Sequence, residues 1–130
     1  MPKTASSAKV AESGVLRACL QLLAVEHIFH RRWNSGSSTV DNGDDTKRFF
    51  RFGSKGDADI LAAPNVKSVP VFLWIETKSD TGKQTQDQKW FQKDVEARGH
   101  TYLLVRDVRT LQDWLKEHGA KGLNWMDVKL

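Results

Sequence analysis

Asp59, Glu76 and Lys78 are the residues whose types and spacing could do chemistry, and that chemistry would start from the binding of a divalent cation. Asp59 lies in Gly56-Asp57-Ala58-Asp59-Ile60-Leu61, and the other two lie in Val71-Phe72-Leu73-Trp74-Ile75-Glu76-Thr77-Lys78. The Val, Ile, Phe and Trp of the second stretch favour a buried strand, yet both stretches carry acids where a strand should be apolar. Pro64, Asn65 and Ser68 break the chain between them, so the two runs read as a hairpin. Opposed positions of an antiparallel pair have a constant sum, and a turn centred between Lys67 and Ser68 sets Asp59 opposite Glu76. Facing carboxylates repel and do not both ionise freely unless a positive charge neutralises them, which a divalent cation would do. Side chains alternate along a strand, so Glu76 and Lys78 leave from one face with Thr77 turned away. Acid, acid and amine then share that face.

The flanking segments must hold this hairpin. A helix is expected from about Ala8 to His27, with Glu12, Leu16, Cys19 and Leu23 as its stripe; Gly14 weakens it, and Ser13 offers a later cap. His27 to Asn34 reads as a strand ended by Ser35-Gly36-Ser37-Ser38, and a long polar loop with Asp41-Asn42-Gly43-Asp44-Asp45 runs to about Thr46. Lys47 to Phe52 is the next strand. Beyond the hairpin, Ser79 to Lys83 is a polar loop, and Thr85-Gln86-Asp87-Gln88 opens a helix with a capping box. Gln88, Phe91 and Val95 lie on one side of that helix, and Gly99 stops it. Tyr102 to Val105 is a buried strand. Asp107 caps a last helix whose Leu111, Trp114, Leu115 and His118 share a face, with Gly119 as terminator. The order predicts an α/β chain with a mixed sheet flanked by helices: an antiparallel meander first, then a strand returning parallel by a crossover.

The 130 residues suit one domain, expected over 8–118, with a loose arm at 1–7 and a tail at 119–130. The tail keeps Leu123, Trp125, Met126 and Val128, which should pack on the domain or on a second subunit. A net charge of +4 and a pI near 9.3 are compatible with a polyanionic partner without establishing one. Cys19 is the single cysteine, which excludes an internal disulfide and a cysteine zinc site and fits a reducing, cytoplasmic setting. There is no apolar run long enough for a membrane span, and the first residues lack the apolar core of a signal peptide. His27, His30, His100 and His118 have no common metal-ligand spacing and receive no catalytic role.

Trp33-Asn34-Ser35-Gly36, Lys55-Gly56-Asp57-Ala58-Asp59, Ile75-Glu76-Thr77-Lys78 and Gln88, in that order, resemble the signature of VRR-NUC domains, members of the PD-(D/E)XK, restriction-endonuclease-like nuclease superfamily. The resemblance covers roughly residues 10 to 117. It implies an αβββαβ core and a Mg²⁺- or Mn²⁺-dependent DNA endonuclease without organic cofactor. Asp59 and Glu76 would hold the metal with the Thr77 carbonyl, consistent with the oxygen ligation Mg²⁺ demands. Lys78 would orient the attacking water and stabilise charge on the phosphate. Glu12 resembles the acid on the family's first helix, near the metal or its water shell, and is otherwise a solvated first-turn glutamate. Gln88 resembles the glutamine of the helix after the Glu-x-Lys strand; its other reading is the capping partner of Thr85, and one side chain is not expected to serve both ends.

One departure from the family is Ala58, where a proline usually precedes the first aspartate; neighbouring Asp57 offers a second acid, otherwise a solvated strand end. Arg31, Arg32, Asn34, Lys47, Arg48, Arg51, Lys55 and Lys83 are the candidate nucleic-acid contacts, of a kind that positions a duplex without reading its sequence. Stand-alone family members imply a small phage or mobile-element enzyme of DNA repair type that acts on branched DNA such as Holliday junctions, and paired cuts imply a homodimer. The competing readings are a non-catalytic nucleic-acid-binding module and the nuclease subunit of a restriction-type system.

Overall fold

Alternation along the central strands divides the molecule. On the strand Leu73–Thr77 (β7), Leu73 and Ile75 enter one core with Val15, Cys19, Leu23, Leu111 and Leu115. Trp74 enters a second core with Ala58, Val95 and Tyr102. Period-two alternation delivers side chains to both faces, and both are covered by helices. The computed structural model describes residues 12–33, 36–41, 43–52 and 54–123, with backbone alone for 36–41 and 48–52.

The elements run α1 (Glu12–Val25), β1 (Phe29–Arg32), β2 (Gly36–Asp41), β3 (Lys47–Phe52), β4 (Ile60–Ala63), β5 (Asn65–Val66), β6 (Val69–Pro70), β7, α2 (Gln86–Ala97), β8 (Thr101–Val105), α3 (Val108–Glu117) and β9 (Ala120–Lys121). The main sheet has the order β1-β4-β7-β8. Its first pairs are antiparallel and β7 pairs with β8 in parallel, so this is the expected mixed sheet. Helices α1 and α3 cover the first core and α2 the second.

The predicted register holds. Ile60 pairs with Ile75, Leu61 with Trp74 and Ala62 with Leu73. The same sum continues through the bond from Val71 N to Pro64 O and the pairs Asn65–Pro70 and Val66–Val69. The turn falls on Lys67 and Ser68, both left-handed at φ 53° and 66°. That places positive φ at both central residues, the arrangement that matches the twist of paired strands.

Three expectations are corrected. The segment expected as a long polar loop contains β2, paired with β3 from Gly36–Phe52 to Asp41–Lys47. Opposition to β3 supplies backbone partners that its Ser-rich composition does not announce. Consequently β3 belongs to a separate two-stranded sheet, not to the main meander. On α1, Val15 joins Cys19 and Leu23 in the buried row, while Leu16 is only partly buried. The segment after Gly119, expected to pack on the domain or on a partner, begins with β9, which pairs with β5 through Asn65–Lys121 and Val66–Ala120. Leu123 is exposed, and Trp125, Met126 and Val128 lie outside the described residues, as do 1–11 and Asn34.

Candidate active site

Asp59 sits one residue before β4, where its backbone N donates to Ile75 O (3.0 Å) and its O accepts from Trp33 N (2.6 Å). The carboxylate is fixed by Thr77, whose backbone N and Oγ1 both donate to Asp59 Oδ2, each at 2.8 Å. Thr77 is fully buried, so this threonine anchors the acid on the neighbouring strand.

Glu76 is 1% exposed. Its Oε2 accepts from Gln88 Nε2 at 3.0 Å, whereas its Oε1 is buried without a donor. Such an oxygen is costly as part of a carboxylate. Burial first, then the Asp59 carboxylate, push the Glu76 acid up to about 8; Lys78 opposes this and Glu12 adds to it. The ladder itself ends at Ile60–Ile75, Asp59 N donates to Ile75 O, and the Asp59 carboxylate meets Thr77, the residue expected to be turned away. The strict opposition to Glu76 is thereby corrected, although the Asp59 charge still raises the Glu76 acid.

Lys78 follows β7 directly. Its backbone N donates to Val105 O at 2.9 Å, its side chain is buried, and its Nζ stands 4.0 Å from Glu12 Oε1. Glu12, the first residue of α1, is more than half exposed, so it borders the site from the solvent side.

Gln88 corrects the expectation that it must choose one role. Thr85 caps α2 with a complete capping box: Gln88 Oε1 accepts from Thr85 N at 2.8 Å, and Gln88 N donates to Thr85 Oγ1 at 3.2 Å. The amide's other end, Nε2, is left for Glu76. An amide carries an acceptor and donors, so both duties fit one side chain.

Asp57 is also corrected. Its Oδ2 accepts from Trp33 Nε1 (2.9 Å) and Ser54 N (3.3 Å), which makes it a brace for the loop and not a solvated strand end. Gly56 lets that loop meet α2: it has φ +91°, and a Cβ there would stand 2.5 Å from the backbone carbonyl carbon of Asp87.

Sequence reasoning missed Tyr102, Gln84 and Arg106. Tyr102 OH accepts from Gln84 Nε2 at 3.1 Å, and burial, then the Glu76 charge, raise its phenol well above its usual range. A single tyrosine in an otherwise aliphatic strand was the available signal. Arg106 Nη1 donates to the carbonyls of Ser79, Asp80 and Gly82.

The expected phosphate contacts come from several elements and loops. Arg31 is exposed on β1 with its guanidinium 4.4 Å from the centre of the Phe29 ring, and Arg32 is exposed beside it. Lys47 and Lys83 are exposed; Lys55 pairs with Asp87 at 3.5 Å. Arg48 and Arg51 lie on β3 opposite Val40 and Ser37 in backbone register.

Among the described residues, no three His, Cys, Asp or Glu side chains form a metal-ligand group. The donors that do converge are two carboxylates, one of them with a buried oxygen lacking any donor. Two carboxylates suit Mg²⁺, which keeps several waters and takes few protein ligands. No family model, no curated protein and no solved structure matches the chain, so the functional reading rests on these residues.

Proposed function

We propose that this chain is a divalent-metal-dependent endonuclease that hydrolyses phosphodiester bonds in DNA, with the restriction-endonuclease-like arrangement that its motifs resemble. The observation that carries the reading is the buried Glu76, its acid raised by the neighbouring Asp59 charge and its Oε1 left without a donor, on the strand that also delivers a buried Lys78. Binding alone needs no facing carboxylates against a polyanion; a site built to attract a cation does.

Asp59 and Glu76 would hold the ion, with the Thr77 carbonyl and Glu12 as further oxygen donors. When bound, Mg²⁺ or Mn²⁺ supplies charge withdrawal from phosphate and a water acidic enough to ionise near neutrality. Thr77 holds Asp59 in place, and Gln88 fixes the orientation of Glu76 from the helix side. Lys78 places a positive charge where the phosphate becomes more negative and is positioned to hold the attacking water. Substrates are branched or nicked DNA, and paired cuts are made by a homodimer. The test is incubation with labelled four-way junction, flap, nicked and linear duplexes in Mg²⁺, Mn²⁺ or EDTA. Cleavage dependent on metal and lost in Glu76→Gln supports the reading; EDTA-resistant cleavage, or none on any substrate, overturns it.

A further inference from the structure

Lys78 is buried although it leaves the sheet at a strand end, and the loop after it explains why. Gly82 lies against the lysine stem: a Cβ at Gly82 would stand 3.4 Å from Lys78 Cδ and 3.0 Å from Ser79 Oγ. The loop from Ser79 to Gly82 thus folds back over the side chain. Its own bonds are slight, a contact of Gly82 N with Ser79 Oγ at 3.0 Å and with Ser79 O at 3.3 Å. The main attachment comes from Arg106, whose Nη1 reaches Ser79 O at 2.6 Å, Gly82 O at 2.7 Å and Asp80 O at 3.3 Å.

Arg106 is well placed for this. The preceding residue, Val105, accepts the backbone N–H of Lys78, and the following one, Asp107, caps α3 by accepting from Arg109 N. A cavity of ≈ 280 Å³ opens between Asp80, Arg106 and the first turns of α1 at Gly14 and Val15. Arg106 lines that space together with Asp107 and Val108.

We infer that Arg106 is a positioning residue: by holding the Ser79–Gly82 loop through three carbonyls it keeps the Lys78 amine buried and fixed beside Glu12, at the border of the site. Ionised donors make the stronger hydrogen bonds, and a guanidinium stays charged at every pH of interest. This deepens the proposed hydrolytic site and rests on that reading only for its effect on cleavage.

Two measurements keep the readings separable. The first is competitive labelling of lysines with an amine-reactive reagent, without DNA, read by mass spectrometry in wild type, Arg106→Ala and Arg106→Lys. Lys78 should react slowly in wild type relative to exposed Lys83, about tenfold faster in Arg106→Ala, and in between in Arg106→Lys, whose ammonium keeps charge and donors. The second is single-turnover cleavage, where the rate should fall in the same order while DNA binding stays unchanged, a split that general loosening of the fold would not give. Unchanged Lys78 labelling in a folded variant overturns the inference. If Arg106→Ala proves unfolded by circular dichroism, Arg106→Lys decides by the same labelling. Altered labelling with no cleavage by wild type retains the positioning role and rejects the nuclease reading.

Discussion

Gln88 donates to Glu76 across 3.0 Å while its carbonyl end caps its own helix at Thr85, so one amide ties the start of α2 to the buried acid. Gln88→Glu should keep the capping box, which accepts either residue at this position. It removes the donor and adds a carboxylate beside Glu76. Cleavage should fall about 10²-fold or more with little change in thermal midpoint, whereas Gln88→Ala should also lose about 1 kcal/mol of stability. Rates and melting curves on both variants check this.

The acid pair predicts how stability varies with pH in metal-free protein. The Glu76 acid is raised from an ordinary 4.5 to about 8, so between these values the folded chain keeps a proton that the unfolded chain has released. Stability is therefore greatest below about 4.5 for this group and falls as pH rises to about 8, by at most about 1.4 kcal/mol per unit. Glu76→Gln should flatten the slope, and Mg²⁺ should offset the loss at pH 8. Denaturant titrations at pH 5, 6.5 and 8 provide the measurement.

Asp59→Asn should abolish cleavage while sparing the fold, since the amide still has an oxygen to accept from Thr77. Thr77→Val removes the hydroxyl donor and keeps the backbone one. It should slow cleavage by less than Asp59→Asn does and destabilise by about 1 kcal/mol. An unaltered rate in purified, folded Asp59→Asn would show that the acid has been assigned wrongly.

Two backbone positions carry opposite predictions. Gly56→Ala forces a side chain into the backbone of Asp87 at positive φ and should destabilise by on the order of 2–4 kcal/mol. Ser68→Gly relieves a left-handed serine at φ 66° and should stabilise by about 1 kcal/mol. Paired urea titrations test both.

The hairpin was legible because its evidence is local: strand-forming runs, a polar break and a sum that fixes which residues oppose. Caps at Thr85 and Asp107 were equally readable, each being decided within a few residues. The strand β2 was not, since Gly36-Ser37-Ser38-Thr39 acquires its conformation from β3, across a turn whose acidic residues looked like part of a loop. Arg106 was invisible for a related reason, and Tyr102 was legible only as part of a buried strand. Their neighbours depend on the parallel register of β7 with β8, which pairs Thr77 with Val105 across an intervening helix.

The Lys67–Ser68 turn lies eight residues from both Asp59 and Glu76, about 26 Å of extended chain away, yet it decides whether they meet. It works as the zero mark of a ruler. Adding one residue there would offset every pair down the hairpin and set Asp59 against a side chain of the opposite face. Adding one residue to each side of the turn would lengthen the arm and leave the acids aligned. Loss of the proposed activity in a protein altered only at this tip would then be an error of measurement by the chain, with every side chain of the candidate site intact.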